Sequence, residues 1–219
     1  MFIDFLTNIF TKNSNTEAII WNDKVFKYDW LNDKINEYLN KIDKHQIRTG
    51  SVVALEGDFS PNSVAILLAL IEKACIVVPL SNTSKENKSK LIKISQPEFL
   101  ICVDKNDKVS FETNSEKSEN IYYKEIRKRE HPGLLLFTSG TSGEPKAAIH
   151  DLVLLLKKFH TRRIAMRTLN FLLFDHWGGL NTMFYILSNS GVLISAKNRN
   201  PENVSKLIEK YNIELLPAS

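Results

Sequence analysis

The run Thr138-Ser139-Gly140-Thr141-Ser142-Gly143-Glu144-Pro145-Lys146 concentrates hydroxyls, glycines and one lysine between two apolar stretches, 133–137 and 147–149. Glycine lets the backbone approach a ligand closely and take positive φ. Successive N–H groups in such a turn form a concave anion site. The hydroxyls add donors and Lys146 adds a mobile positive charge, so the set suits a polyphosphate. It is not a Walker A loop, which needs Gly-Lys-Ser/Thr opening a helix. Here Pro145 precedes the lysine and strand-like residues follow it. The bland alternative is a surface Gly/Ser turn between two strands.

A second run, Phe174-Asp175-His176-Trp177-Gly178-Gly179-Leu180-Asn181-Thr182, follows an apolar segment and leads into a helical pattern. Strand ends in α/β sheets are where ligands bind. His176, at such a strand end, is a candidate binding residue. On the structural alternative, Gly178-Gly179 only permits close helix–strand packing. The other histidines, His45, His131, His150 and His160, have no metal-ligand spacing, and there is no Gly-x-Ser-x-Gly nucleophile elbow.

Alternating elements must position these two runs. A hairpin is expected at 18–21 and 25–28 around Asn22-Asp23, and a helix capped by Asp29 runs to about Lys44. Strand 51–55, a helix starting at Ser60-Pro61 that is apolar on all sides over 64–71, strand 76–78 stopped by Pro79, a polar helix 84–94 and strand 99–103 come next. This order predicts an α/β fold with parallel or mixed sheets flanked by helices. Residues 104–131 read as a polar excursion, with a short strand at 109–111 and a solvated charged face at 124–130. Beyond the loop, a helix is expected over 152–166, a strand over 169–174, a helix over 180–188, a strand over 191–195, a helix over 201–211 and a last strand over 213–216. The organisation is thus a first α/β segment 1–103, the excursion 104–131 and a second α/β segment 132–219.

Apolar content of 43% and charge of 25% are ordinary for a globular chain, and the formal net charge of +4 does not argue for nucleic acid. Cys75 and Cys102 have no nearby third cysteine, so a zinc knuckle is excluded and reduced, buried thiols are expected. The apolar start, residues 1–10, lacks the basic flank of a secretory signal and reads as a docking helix. The most apolar run is too short to span a bilayer. A cytoplasmic location is the default expectation.

The first run resembles the phosphate-loop signature of the adenylate-forming, AMP-binding superfamily, Thr-Ser-Gly-Thr-Thr-Gly-x-Pro-Lys-Gly, with Ser142 and Ala147 as the departures. Gly50-Ser51-Val52-Val53-Ala54 and Lys73-Ala74-Cys75-Ile76-Val77-Val78-Pro79-Leu80 resemble two further segments of that family, so the likeness covers the whole chain. Gly178-Gly179-Leu180-Asn181-Thr182 resembles its acyl-CoA synthetases, with Asp175 inserted before the motif histidine. Phe174-Asp175 resembles amino-acid adenylation domains, whose aspartate binds the substrate ammonium.

The resemblance implies a ligase that converts a small carboxylic acid and ATP into acyl-AMP and pyrophosphate. The acyl group then passes to CoA or to the phosphopantetheine thiol of a carrier protein. It implies that Thr138, Ser139, Gly140, Thr141, Ser142, Gly143 and Lys146 hold the phosphates, with Mg²⁺ bridging them. Asp175, His176, Trp177, Gly178 and Gly179 would line the acid pocket, with His176 as the catalytic candidate. The family's Tyr-Gly-x-Thr-Glu and Thr-Gly-Asp segments and its C-terminal lid domain are missing from these 219 residues. The expectation is therefore an N-terminal portion that does not complete adenylation alone. The alternatives are a catalytically incomplete nucleotide-binding module, half of a split enzyme, or an amino-acid adenylation domain.

Overall fold

The computed structural model describes residues 1–81, 85–114, 118, 120–139, 144–196 and 198–218. The elements run α1 (Asp4–Lys12), β1 (Glu17–Trp21), β2 (Lys24–Lys27), α2 (Tyr28–Lys44), β3 (Val52–Glu56), α3 (Pro61–Glu72), β4 (Ile76–Leu80), α4 (Lys85–Ser95), β5 (Phe99–Val103) and β6 (Val109–Thr113). They continue with α5 (Ile121–Arg129), β7 (Gly133–Ser139), β8 (Pro145–Asp151), α6 (Leu152–Leu156), a 3-10 turn (Lys157–His160), β9 (Arg167–Asn170), α7 (Trp177–Ser188), β10 (Val192–Ser195) and α8 (Pro201–Tyr211).

The strands form two sheets. The larger has the order β6-β5-β3-β4-β7-β8, the smaller β2-β1-β10-β9. In the larger sheet β5, β3, β4 and β7 are parallel, and the antiparallel strands β6 and β8 form its edges. The smaller sheet joins the two ends of the chain, because β1 pairs in parallel with β10, Ile19 opposite Leu193. The first hairpin turns at Asn22 and Asp23, both at positive φ (47° and 63°), the left-handed pair that a two-residue hairpin loop requires.

Strand periodicity feeds layers on both faces of each sheet. In β3, Val53 and Leu55 enter the central core, while Val52 and Ala54 enter a second core beneath Tyr123 and Ile126 of α5. In the smaller sheet, Ile19 and Leu193 face the centre, while Ile20 and Ile194 face Val204 and the apolar side of α8. The central layer is built on α3, buried at every residue from Ser63 to Ile71. A helix apolar all round needs cover all round, and it finds that between the sheets. Ser60 caps it, its Oγ accepting from the Ser63 N–H at 3.4 Å, and Pro61 takes the first turn.

Several expectations shift. The segment 104–131 contains β6 and α5, and Tyr123 (0% exposed) and Ile126 (6%) are core residues. The charges at 124–130 stay outside except for Arg127, which donates to the Gly50 and Ser118 carbonyls and pairs with Glu98 at 2.6 Å. α2 starts at Tyr28 with Lys27 at its cap position, so Asp29 lies inside the first turn. β4 continues through Pro79 to Leu80, since its recorded pairing with β7 covers only Ile76 and Val77, and the proline falls beyond that ladder.

The helix expected over 152–166 ends at Leu156, followed by the 3-10 turn. The next stretch is drawn along α7 instead: Arg163 N–H donates to the Asn189 side chain and Arg162 to Ser190. β9 is correspondingly short, and the strand expected at 213–216 reduces to one parallel bridge, Thr168 to Leu215. The N-terminal docking helix is α1, with Leu6 and Phe10 buried. No helix among the described residues is long and apolar enough to cross a membrane.

Replacing Leu67 (0% exposed, in α3) with alanine is expected to cost about 2–5 kcal/mol of stability. Replacing Leu154 (55% exposed, in α6) is expected to stay within about 0.5 kcal/mol. Urea denaturation of the two variants beside the parent checks this; equal losses would contradict the placement of α3.

Candidate functional site

The carboxyl ends of the parallel strands β3, β4 and β7 lie along one edge of the larger sheet. β7 reaches this edge at Thr138 and Ser139, and β8 leaves it at Pro145 and Lys146. The two strands pair Ser139 with Pro145 and Thr138 with Lys146. Gly140, Thr141, Ser142 and Gly143 connect them in sequence and lie outside the described residues. Of the remaining polyphosphate candidates, Thr138 and Lys146 are exposed, and the Thr138 hydroxyl donates to the Lys146 carbonyl at 3.4 Å. The Lys146 ammonium is thus carried on an ordered, solvent-facing strand start.

The second motif reaches the same edge by a side-chain link. Asp175 lies on a turn past the end of β9, and its Oδ2 accepts from the Ser81 hydroxyl at 2.5 Å and the Ser81 N–H at 3.3 Å. Ser81 directly follows Leu80, the last residue of β4, which neighbours β7. Phe174, 1% exposed, anchors the turn by packing edge-on against Phe59 at 5.1 Å. Asp175 is the adjacent half-buried residue. Its Oδ1 is buried without a hydrogen-bond donor among the described residues and lies 3.8 Å from His176 Nε2. A buried carboxylate oxygen left without a donor is costly, so this atom is the most demanding polar group of the turn.

His176 occupies the position before α7. Its carbonyl accepts from Leu180 N–H at 3.2 Å, its side chain makes no cap bond, and its imidazole is 63% exposed. It is available to a ligand rather than consumed by the fold. Trp177 is half-buried, with the Lys158 ammonium 5.1 Å from its ring centre.

The two glycines differ. A Cβ on Gly179 would sit 2.2 Å from the Leu173 carbonyl oxygen and 3.0 Å from Phe59. The buried Asn170 donates to the Gly179 carbonyl at 3.2 Å. A Cβ on Gly178 would meet only the end of the Leu172 side chain, at 2.9 Å. The close-packing reading therefore describes Gly179 well, while Gly178 remains at the surface.

Two links were not legible in the sequence. Ser81 is remote in sequence from Asp175, and no motif joins them. Arg199, just beyond β10, clamps Asp58 just beyond β3 with two hydrogen bonds of 2.8 and 2.9 Å and donates to the Phe171 carbonyl at 2.8 Å. Such a forked pair is geometrically specific, and it ties the smaller sheet to the site edge.

The thiols take no part. Burial pushes Cys75 up to about 12. Burial, then the hydrogen bond to Glu56, push Cys102 up to about 12. Among the described residues no cluster of three or more His, Cys, Asp or Glu side chains is arranged to hold a metal ion.

Gly179→Ala is expected to destabilise by about 3 kcal/mol, because backbone and an aromatic ring block the new methyl. Gly178→Ala is expected to cost under about 1 kcal/mol, since a flexible side-chain end moves aside. Thermal melts of the two variants separate these outcomes.

Residues 7–219 match the model of the family described as AMP-binding enzyme. Bacitracin synthase 2 of Bacillus licheniformis is 22% identical over 95% of this chain, which spans 9% of that protein. The putative acyl–CoA ligase YdaB of Bacillus subtilis (strain 168) is 23% identical over 92% of this chain, which spans 46% of it. Among solved structures, the Klebsiella oxytoca NpsA N-terminal subdomain in complex with 3-hydroxyanthranilyl-AMSN superposes with a TM-score of 0.75 at 17% identity, covering 97% of this chain and 58% of that one. NpsA artificially fused to ThdA, an adenylation–PCP di-domain, gives a TM-score of 0.76 at 17% identity, covering 98% of this chain and 46% of the fusion. These likenesses establish the fold, and the chain spans less than two thirds of each of these proteins. With the family's model matched from residue 7 to residue 219, the chain belongs to the AMP-binding enzyme family.

Proposed function

We propose that this chain carries the phosphate- and acid-binding part of an acyl-adenylate-forming ligase. In this reading a carboxylate oxygen attacks the α-phosphorus of ATP. The bond from the α-phosphorus to the α,β-bridging oxygen breaks, acyl-AMP forms and pyrophosphate leaves. The acyl group then passes to a thiol, of CoA or of a carrier's phosphopantetheine; the fusion of NpsA to a carrier domain makes a carrier a reasonable acceptor class. The observation that carries the reading is the convergence of two motifs in a chain of this family. The end of β7 at Thr138 and Ser139, the start of β8 at Pro145 and Lys146, and Ser81 just past β4, to which Asp175 is bonded, belong to the same sheet.

The roles follow from the chemistry of each group. The hydroxyls of Thr138, Ser139, Thr141 and Ser142, with the N–H groups around Gly140 and Gly143, would hold the β- and γ-phosphates. Lys146 would act as a point charge that follows the phosphates as they separate. His176 would donate to the acid's carboxylate and orient it. Asp175, Trp177, Gly178 and Gly179 would form the pocket wall. Mg²⁺ would neutralise phosphate charge. The reading assigns the reaction to the cytoplasm, where ATP is supplied and thiols stay reduced, and the two free cysteines suit that compartment.

A second reading, activation of an amino acid, is favoured by one observation. Oδ1 of Asp175, without a donor among the described residues, is the kind of buried carboxylate oxygen that a substrate ammonium would satisfy. Acid-dependent ATP–pyrophosphate exchange, measured on the full-length protein with simple carboxylic acids and amino acids, tests both. Exchange with acids lacking an amine is expected, reduced about tenfold or more by Lys146→Ala, with Asp175→Ala changing it only a few-fold. Exchange confined to amino acids and abolished by Asp175→Ala would replace the first reading with the second. ATP binding without exchange for any acid would leave a nucleotide-binding module.

A further inference from the structure

Between Asp151 and Asp175 the sequence contains no acidic residue, yet it holds Lys157, Lys158, Arg162, Arg163 and Arg167. The first four of these, with His160, fall within residues 157–163 and are exposed. Ion pairs flank the stretch, Arg129 with Asp151 and Arg167 with Glu17, but none of the four pairs with a carboxylate among the described residues. Four positive charges thus fall on one short strap that contains no acidic residue.

The fold holds this strap in place. Phe159 is buried (5% exposed) and His160 stacks on Phe5 of α1 at 4.2 Å. Lys158 donates to Asn181 near the start of α7, the Tyr185 hydroxyl donates to the Ile164 carbonyl, and Arg162 donates to Ser190 just past the end of α7. The strap therefore runs along α7, a helix of 12 residues and so about 18 Å long. Two aliphatic side chains stand out beside the cations, Leu154 (55% exposed) and Ile164 (70% exposed). Leu154 precedes Lys157 and Lys158 by three and four positions, the spacing of one helical face.

From this arrangement we infer that residues 154–164 form a docking surface for an anionic lipid bilayer. Lysines and arginines preorganised on one face attract acidic headgroups, and the protruding aliphatic side chains enter the interface between them. The strap is exposed at every position from His160 to Ala165. A protein helix needs a shaped groove to dock, whereas a fluid layer of acidic headgroups conforms to an exposed cationic segment. The inference is independent of which acid the chain activates.

Co-sedimentation with vesicles tests it. The chain is expected to bind vesicles of equal parts phosphatidylcholine and phosphatidylglycerol at low salt, to release at high salt, and to ignore phosphatidylcholine alone. The triple variant Lys157→Glu, Arg162→Glu, Arg163→Glu is expected to bind about a hundredfold more weakly, at roughly fivefold per basic residue lost. Lys105→Glu, Lys124→Glu, Lys128→Glu places the same charge change on exposed positions elsewhere and is expected to bind almost as the parent does. If the strap triple does not fold, the single variants Lys157→Glu and Ile164→Asp each suffice, with an expected loss of several-fold. No binding of the parent to the anionic vesicles overturns the inference, including the case in which an acidic protein is the true occupant. Equal loss in the strap and control variants overturns it too, because the attraction would then be net charge alone.

Discussion

Everything in this molecule is arranged around a helix that has no polar side. From Ser63 to Ile71, α3 is buried at each position, and only a structure that surrounds it can exist. Burying a Leu, Ile or Val side chain contributes about 1.5–3 kcal/mol, and α3 contains such residues in nearly unbroken succession. One sheet cannot cover a whole cylinder, and α2 packs against α3 to supply further cover. The ends of α3 must also satisfy their polar groups. At its start the Ser60 hydroxyl accepts from Ser63, and the Asp107 carboxylate accepts the Asn62 N–H at 3.1 and 3.2 Å. Asp107 therefore comes inward from the connection before β6, where burial raises its carboxyl above its usual range against the hydrogen bonds that favour the charged form.

The second sheet is built from the chain's two ends, and specific bonds fix its place. The Tyr28 hydroxyl, at the start of α2, donates to the Gly191 carbonyl at 2.7 Å just before β10. Arg167 at the start of β9 pairs with Glu17 at 2.6 Å and donates to the Tyr211 carbonyl at 2.7 Å. Arg199 grips Asp58 on the other sheet. Each bond is modest in net free energy. Their value lies in register, because a parallel pair such as β1 and β10 has no tight turn to set it.

The candidate site depends on the same frame. The strand ends of the larger sheet point toward one edge, and the Asp175 turn is brought there by Phe174 packing into the core and by Ser81. The candidate site holds groups left over once folding is satisfied: an exposed imidazole at His176, an exposed ammonium at Lys146 and a carboxylate oxygen at Asp175 without a donor among the described residues. The structural cysteines illustrate the opposite case, since their thiols are held protonated and add only to packing.

Local chemistry made much of this legible in the amino-acid sequence. Asn22-Asp23 encodes its hairpin, Ser60-Pro61 encodes a helix start, and the run through Ile71 encodes a buried helix, because each signal lies within a few residues. The glycine pair in the first turn of α7 stood out for the same reason, as did the hydroxyl- and glycine-rich run at 138–146. Elements whose stability is borrowed from distant partners were not. α5 looked like a solvated charge run because only Tyr123 and Ile126 turn inward, and their burial depends on the larger sheet. The strap after Leu156 looked helical until Ser190 and Asn189 drew it along α7. The pairing of β1 with β10, the Ser81–Asp175 bond and the Arg199–Asp58 clamp join residues remote in sequence. Nothing local distinguishes those partners from other serines, aspartates and arginines. Sequence alone determined the locally encoded elements and marked two motifs as candidates for chemistry; only the tertiary structure decided that the strand ends carrying them share one sheet edge, because proximity between distant residues is set by packing around α3.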